Sequence, residues 1–98
     1  IQTLVLPMSD AELDFSLECV RALREANIRV QLYTESGRMK KKFSYADAIG
    51  VRYVLIIGES EREAGVVSLK DMQSGEQETM TLAEAIIKMA EASGRGNE

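Results

Sequence analysis

Hydrophobic and polar residues follow two different periods along the first half of the chain. Tyr53 to Ile57 is apolar throughout, as a central parallel strand requires, and Thr3 to Leu6 is another short apolar run. Arg29 to Tyr33 instead alternates polar and apolar side chains, which is the period of a strand with one wet face. We therefore expect three strands, with the alternating strand at an edge of the sheet.

Helical spacing fills the two intervals between these strands. Pro7 ends the first strand, and Ser9 with Glu12 has the S-x-x-E spacing of a capping box, which predicts a helix that runs to about Ala26. A second helix is predicted over 39–49, where a glycine follows it. The apolar residues of the first helix form one predicted core-facing stripe: Leu13, Leu17, Val20 and Leu23, widened by Phe15, Cys19 and Ala22.

The second half of the chain departs from this alternation. The interval between the third strand and the next apolar run, at 66–69, is too short for a helical crossover. Residues 66–69 are therefore predicted to return antiparallel after one helical turn. Residues 73–75 indicate a turn and residues 77–80 a fifth strand. Thr81 with Glu84 forms another capping box, which opens a last helix. The residues predicted to face the core from this helix are Leu82, Ala85, Ile86 and Met89.

These elements predict an α/β fold in three layers, α/β/α, around a mixed five-stranded sheet. The 98 residues, 45% of them hydrophobic, suit one domain, which we place at 1–92 with a flexible polar tail at 93–98. The chain opens on Ile1 rather than Met, and we interpret it as a module cut from a longer protein. Its apolar runs are too short to cross a bilayer, which favours a soluble, cytosolic protein without membrane partners.

The residues needed for most enzyme chemistry are missing. There is no histidine, and no serine, threonine or cysteine is paired with a base at a recognisable spacing, which excludes a hydrolase triad. The glycines match neither the dinucleotide pattern nor the Walker pattern. The lone Cys19 excludes an intrachain disulfide, and the acidic turn at 59–63 has too few further acids nearby to favour a metal. We expect no cofactor in this domain.

Two polar segments, 58–61 and 70–77, follow strand-like runs and place carboxylates and a lysine at strand ends, where α/β sheets present ligand groups. The carboxylate of Glu61 can accept two hydrogen bonds from the N1 and N2 donors of guanine. Lys70 can donate to a base oxygen or a phosphate. The structural alternatives are a first-turn glutamate for Glu61, a strand-end lysine for Lys70, and a plain hairpin turn for the residues that follow it.

A basic run opens the second helix in a chain that has 12 basic against 16 acidic side chains. Whole-molecule attraction to a polyanion is therefore not expected, and a nucleic-acid contact must be local. The run is either a solvated helix face or a surface for a phosphate backbone, and the aromatic residue beside it favours the phosphate backbone. The predicted solvent face consists of Arg38, Lys41, Lys42 and Tyr45, and the predicted core face of Met39, Phe43 and Ala46.

With these segments in place, the whole chain resembles the anticodon-binding domain at the carboxyl end of class II aminoacyl-tRNA synthetases, particularly the histidyl enzymes. The segments that carry the resemblance are 4–7, 23–24, 41–43, 46–47, Gly50, 58–61, 64–65, 70–72 and 74–77. The resemblance implies a sheet order of 2-1-3-4-5 with strand four antiparallel. It also implies that the RNA-binding residues are Ser36, Gly37, Arg38, Lys41, Glu61 and Lys70.

The resemblance further implies a parent enzyme that joins histidine to its tRNA, with ATP and Mg²⁺ bound in a catalytic domain outside this sequence. The implied partners are the anticodon loop of tRNA(His), the catalytic domain of the same parent chain and, in the parent, a second copy in a homodimer. A synthetase-like regulatory or protein-interaction domain without tRNA charging is the alternative. A small-ligand enzyme ranks last because the sequence offers no nucleophile or phosphate loop.

Overall fold

The computed structural model describes residues 3–33 and 39–96. A single 3₁₀ turn, Asp10–Glu12, precedes the first helix. In chain order the elements are β1 (Thr3–Pro7), α1 (Leu13–Glu25), β2 (Val30–Leu32), α2 (Met39–Ile49), β3 (Tyr53–Ile57), α3 (Glu59–Ala64), β4 (Val66–Asp71), β5 (Gln77–Thr81) and α4 (Leu82–Gly96). Within the described ranges, none of these helices has the length and apolar character needed to cross a membrane.

The five strands form one mixed sheet in the order β2-β1-β3-β4-β5, which confirms the predicted fold. β1 pairs in parallel with both β2 and β3, whereas β4 pairs antiparallel with β3 and with β5. The connection from β3 to β4 contains only the short helix α3, which cannot carry the chain back across the sheet to make a parallel strand. The alternating strand β2 lies at an edge, as predicted.

Side chains alternate across the strands and therefore enter two separate cores. Val5, Leu55 and Leu69 point to the face that α1 and α4 cover, where they join a cluster that includes Leu23 and Met89. We call this the two-helix face. Leu4, Leu6, Val54 and Ile56 point to the opposite face and pack with Ala46 of α2, and we call this the one-helix face.

The apolar core beneath α2 is formed by side chains of β1 and β3. On β4 and β5 the same face carries polar residues, since Lys70 lies opposite both Val54 and Gln77, and Ser68 lies opposite both Ile56 and Thr79. Gln77 and Thr79 are exposed, so no described helix covers this face of β5. We refer to its members, Ser68, Lys70, Gln77 and Thr79, as the polar patch.

Two local signals that were read from the sequence are confirmed. Gly50, which follows α2, has φ at +71°, a backbone conformation that side chains with a Cβ disfavour. At the start of α4, the Thr81 hydroxyl accepts from the backbone N–H of Glu84 at 3.2 Å, while the Glu84 carboxylate accepts from the backbone N–H of Thr81 at 3.2 Å. This is the reciprocal capping box that the spacing predicts.

The start and the inner stripe of α1 differ from the prediction. The Ser9 hydroxyl donates to the Glu12 carboxylate at 2.8 Å instead of capping a backbone N–H, and the chain makes a 3₁₀ turn before the α-helix begins. Leu17 is 49% exposed, whereas Ser16 is fully buried. Position 16 lies one turn before Val20 on the buried side of the helix. Position 17 is rotated about 100° from position 16 around the helix axis. The core-facing prediction for Leu17 is therefore wrong.

Candidate nucleic-acid interface

α2 begins at the carboxyl end of the parallel strands, and Lys42 attaches it there. The ammonium of Lys42 donates to the carbonyl oxygen of Pro7, the last residue of β1, at 3.0 Å, and lies 6.0 Å from the centre of the Tyr33 ring. Lys42 is only 3% exposed, so the prediction that it shares a solvent face with Lys41 is wrong. Position 42 precedes the buried Ala46 by one helical turn, which turns the lysine stem inward.

Tyr45 also departs from the predicted solvent face. It is half-buried, its ring centroid lies 5.2 Å from that of Tyr33, and its hydroxyl accepts a hydrogen bond from Gln31 at 2.6 Å. Tyr45 therefore joins α2 to β2 instead of facing water.

The first turn of α2 keeps its basic character toward solvent. Lys40 and Lys41 are both exposed, and the role of Lys41 in holding a phosphate backbone stays a prediction. The predicted contacts Ser36, Gly37 and Arg38 lie outside the described residues.

Glu61 lies in the first turn of α3 and is half-buried. Its Oε1 accepts the backbone N–H of Gly58 at 2.8 Å, and its Oε2 lies 3.5 Å from the hydroxyl of Ser68. A Cβ at position 58 would come within 2.6 Å of that Oε1 and 2.9 Å of the Met8 sulfur, so a larger residue here would force these two side-chain ends to move. Glu61 thus has the structural role of a first-turn glutamate. Because a carboxylate has about four lone-pair sites, both of its oxygens can accept further hydrogen bonds.

α3 is also attached to the segment that follows β1. The Nε of Arg62 lies 3.4 Å from Oε2 of Glu12, whose side chain is only 4% exposed. An ion pair with one buried partner holds its geometry better than a fully solvated pair. Glu61 therefore stands on a helix that two independent side-chain contacts hold at the carboxyl end of the sheet.

Lys70 belongs to β4 and points to the one-helix face, opposite Val54. It is half-buried, and its ammonium lies 4.6 Å from the centre of the Phe43 ring on α2. This is cation–π geometry. Lys70 therefore bridges from the polar patch to the helix that carries Lys41.

Sequence reasoning missed two hydroxyl groups of the polar patch. Ser68 is 5% exposed, and its Oγ lies 3.3 Å from the Oγ1 of Thr79 on the neighbouring strand. Their signal in the sequence is the break in the apolar run of β4, where a serine stands between Val67 and Leu69. A polar residue at this position indicates that no apolar helix covers that side of the strand.

The hairpin that follows Lys70 has a structural role, which was the alternative preferred for it. The Oδ1 of Asp71 accepts from the backbone N–H groups of Gln73 at 2.8 Å and Ser74 at 3.4 Å, and Gly75 has φ of +79°. Burial raises the pKa of Asp71, but these hydrogen bonds and the guanidinium of Arg52, 3.5 Å away, together outweigh it and hold the pKa below its usual value. An ionised Asp71 therefore closes the turn.

Glu61, Lys70 and α2 thus form one continuous surface. Glu61 approaches Ser68, Ser68 and Lys70 lie two residues apart on the same face of β4, and Lys70 contacts Phe43 of α2. The surface offers carboxylate acceptors at one end and ammonium donors at the other. This mixed polarity suits the edge of an unpaired base beside a phosphate backbone.

Comparison with known proteins shows which family the chain belongs to. The chain is 44% identical over 85 residues to the histidine–tRNA ligase of Clostridium tetani, which covers 87% of this chain and 19% of that protein. Its fold matches the crystal structure of histidyl-tRNA synthetase from Nostoc sp. PCC 7120 with a TM-score of 0.87 and 34% identity, over 93% of this chain and 21% of that one.

The RNA-binding domain of threonyl-tRNA synthetase from Cryptosporidium parvum matches with a TM-score of 0.86 and 25% identity, over 92% of this chain and 23% of that one. The chain thus spans about a fifth of the length of the relatives it matches. The family described as "Anticodon binding domain" matches residues 2–92. The chain belongs to the anticodon binding domain family.

Proposed function

We propose that this chain is the anticodon-recognition module of a histidine–tRNA ligase and that it binds the GUG anticodon loop of tRNA(His). The observation that carries the proposal is that Glu61 contacts Ser68 on β4, and that Lys70 on the same face of β4 contacts Phe43 of α2, the helix whose first turn exposes Lys40 and Lys41. The similarity to histidine–tRNA ligases supports this specificity over that of other members of the family.

In the proposed complex each charged group has its own task. The carboxylate of Glu61 accepts from N1 and N2 of a guanine, a pair of donors that no other base offers on its Watson–Crick edge. Lys70 leaves the ring of Phe43 to donate to a base oxygen or a phosphate. Lys41, with Arg38 and its two preceding neighbours, Ser36 and Gly37, holds the RNA backbone.

The parent protein in this proposal attaches histidine to its tRNA with ATP, and ATP and Mg²⁺ bind in a catalytic domain that this chain does not include. The module binds RNA and carries out no chemical step. The catalytic domain of the same chain is its structural partner, the parent is a homodimer, and the protein works in the cytoplasm.

The test is a titration of the 98-residue chain with an anticodon stem-loop and with a loop of scrambled sequence. Glu61→Gln keeps an oxygen for the Gly58 N–H but loses charge and acceptor capacity, and we expect it to weaken binding about tenfold. Glu63→Gln, an exposed change on the same helix, is the matched control and should bind as the wild type does. Equal affinity of the wild type for both loops would overturn base recognition.

A synthetase-like interaction domain without tRNA charging is the second candidate. Leu17 on α1 is 49% exposed and Ile87 on α4 is 57% exposed, and large apolar side chains in water favour protein contacts when they form a patch. This candidate predicts that both RNA loops fail to bind and that Leu17→Ser weakens an association detectable by analytical ultracentrifugation. Specific binding of the anticodon loop would decide against it.

A further inference from the structure

The hydroxyl of Ser68 lies between the carboxylate of Glu61 and the hydroxyl of Thr79. The distances are 3.5 Å from Ser68 Oγ to Glu61 Oε2 and 3.3 Å from Ser68 Oγ to Thr79 Oγ1. Ser68 is 5% exposed, while Thr79 is exposed on the outer strand. A row of three polar groups therefore runs from the start of α3 across β4 to β5.

Chemistry fixes the direction of the hydrogen bonds in this row. An ionised carboxylate only accepts, so the single proton of the Ser68 hydroxyl must be donated to Glu61. The bond between the two hydroxyls must then be donated by Thr79 to Ser68. The remaining lone pairs of Thr79 are left for solvent or a ligand, so this end of the row accepts hydrogen bonds as well.

Both oxygens of Glu61 are anchored in this arrangement. Gly58 holds Oε1 through its backbone N–H at 2.8 Å, and Ser68 holds Oε2. One anchor would leave the carboxylate free to rotate about its last bond, whereas two anchors on different oxygens fix the plane of the group. The lone pairs that stay free on the two oxygens then point in a defined direction.

We propose that Ser68 is a positioning residue that orients the Glu61 carboxylate toward a base edge with two adjacent N–H donors, which among the standard bases is the guanine edge. The inference rests on the proposed function, since it concerns the same site. Lys70, on the same face and two residues along β4, supplies the donor that such an edge needs for its neighbouring oxygen.

The structural alternative is that Ser68 and Thr79 form only a cross-strand pair that stabilises the sheet. The two roles differ in what they do to base discrimination. A purely structural serine affects the affinity for every loop equally, whereas a positioning serine affects the preference for guanine over inosine, which lacks the N2 amino group.

The experiment measures the affinity of the 98-residue chain for anticodon stem-loops in which each guanosine of the anticodon is replaced singly by inosine. For the wild type we expect one replacement to weaken binding about tenfold, the value of one hydrogen bond to a charged acceptor. Ser68→Ala should reduce this ratio to less than about threefold, and Ser68→Thr, which keeps the hydroxyl, should restore it.

Ser16→Ala is the matched control, because Ser16 is also a buried serine but its hydroxyl has no hydrogen-bond partner among the described residues. It should leave the ratio unchanged. Failure of the wild type to bind any loop would overturn the proposed function itself. Binding with normal guanine preference in Ser68→Ala would overturn only the role of Ser68, and so would loss of the preference in both Ser68→Ala and Ser68→Thr.

Discussion

On the two-helix face, every strand contributes apolar side chains to one core, from Val30 on β2 through Leu55 on β3 to Met80 on β5. On the one-helix face, only the strands β1 and β3 contribute apolar side chains to the core. β4 and β5 carry the polar patch on that face instead. The two faces belong to the same strands and share one backbone ladder. The comparison teaches that the side chains on one face of β4 and β5 decide whether an apolar core can extend over that half of the sheet.

The largest expected difference in stability is between substitutions of a buried and an exposed leucine on α1, one of the helices on the two-helix face. Leu23 is fully buried on α1, and Leu23→Ala should lower the free energy of unfolding by about 2–5 kcal/mol because it leaves a cavity. Leu17→Ala on the same helix should cost less than about 1 kcal/mol, since Leu17 is 49% exposed. Urea unfolding measures both changes, and similar losses for the two variants would contradict the assignment of the inner stripe of α1.

Two neighbouring lysines of α2, the buried Lys42 and the exposed Lys41, are expected to respond differently to the same substitution. Lys42→Met should lower the free energy of unfolding by about 1–3 kcal/mol, because it leaves the Pro7 carbonyl without the ammonium donor. Lys41→Met should change the stability by less than about 0.5 kcal/mol. Lys41→Met should instead weaken RNA binding and lower the slope of log affinity against log salt by about 0.7, as expected for one lost contact to a single-stranded phosphate.

Each of these two variants is the control for the other. Urea unfolding and a salt series of RNA titrations are carried out on both. If Lys42→Met proved as stable as the wild type, the hydrogen bond to Pro7 would contribute nothing to the fold. If Lys41→Met left the salt slope unaltered, α2 would not contact the RNA backbone.

The smallest expected effect is in the hairpin between β4 and β5. The pKa of Asp71 is lowered in the folded chain, so its ionisation stabilises the fold above the pKa of the unfolded state, and this contribution is lost as the pH falls through the folded-state pKa. Asp71→Asn should cost at most about 1 kcal/mol at neutral pH, because the Arg52 partner is exposed.

Unfolding measured at neutral pH and at about pH 3 tests this sign. The difference in stability between wild type and Asp71→Asn should shrink in acid, since the wild-type carboxyl is then increasingly protonated. A difference that grew as the pH fell would contradict the lowered pKa.

The fold was predictable from the sequence because its signals are local. The apolar run Tyr53–Ile57, the short interval before β4 and the capping box at Thr81 each act over a few residues, and together they give the mixed sheet. The burial of Ser16 in place of Leu17 was missed because both positions lie near the border of the helical stripe, and only the packed sheet shows which of the two faces it.

The candidate site was only partly predictable. Glu61 and Lys70 were identified by their places at strand ends, and their convergence through Ser68 and Phe43 depends on tertiary contacts that no local pattern records. Lys42 was placed in solvent because a charged residue usually is, whereas its ammonium reaches a carbonyl 35 residues away in the chain. Its long apolar stem makes such burial feasible, but sequence period alone does not reveal the acceptor.

Gly58 has a consequence for any redesign of this surface. The space that a methyl group would fill at this position is already occupied by an oxygen of Glu61 and by the sulfur of Met8. A substitution that adds a Cβ after the end of β3 would have to displace these two side-chain ends, and the Glu61 carboxylate would then lose its present orientation. The orientation of this carboxylate thus depends on the absence of a side chain at position 58.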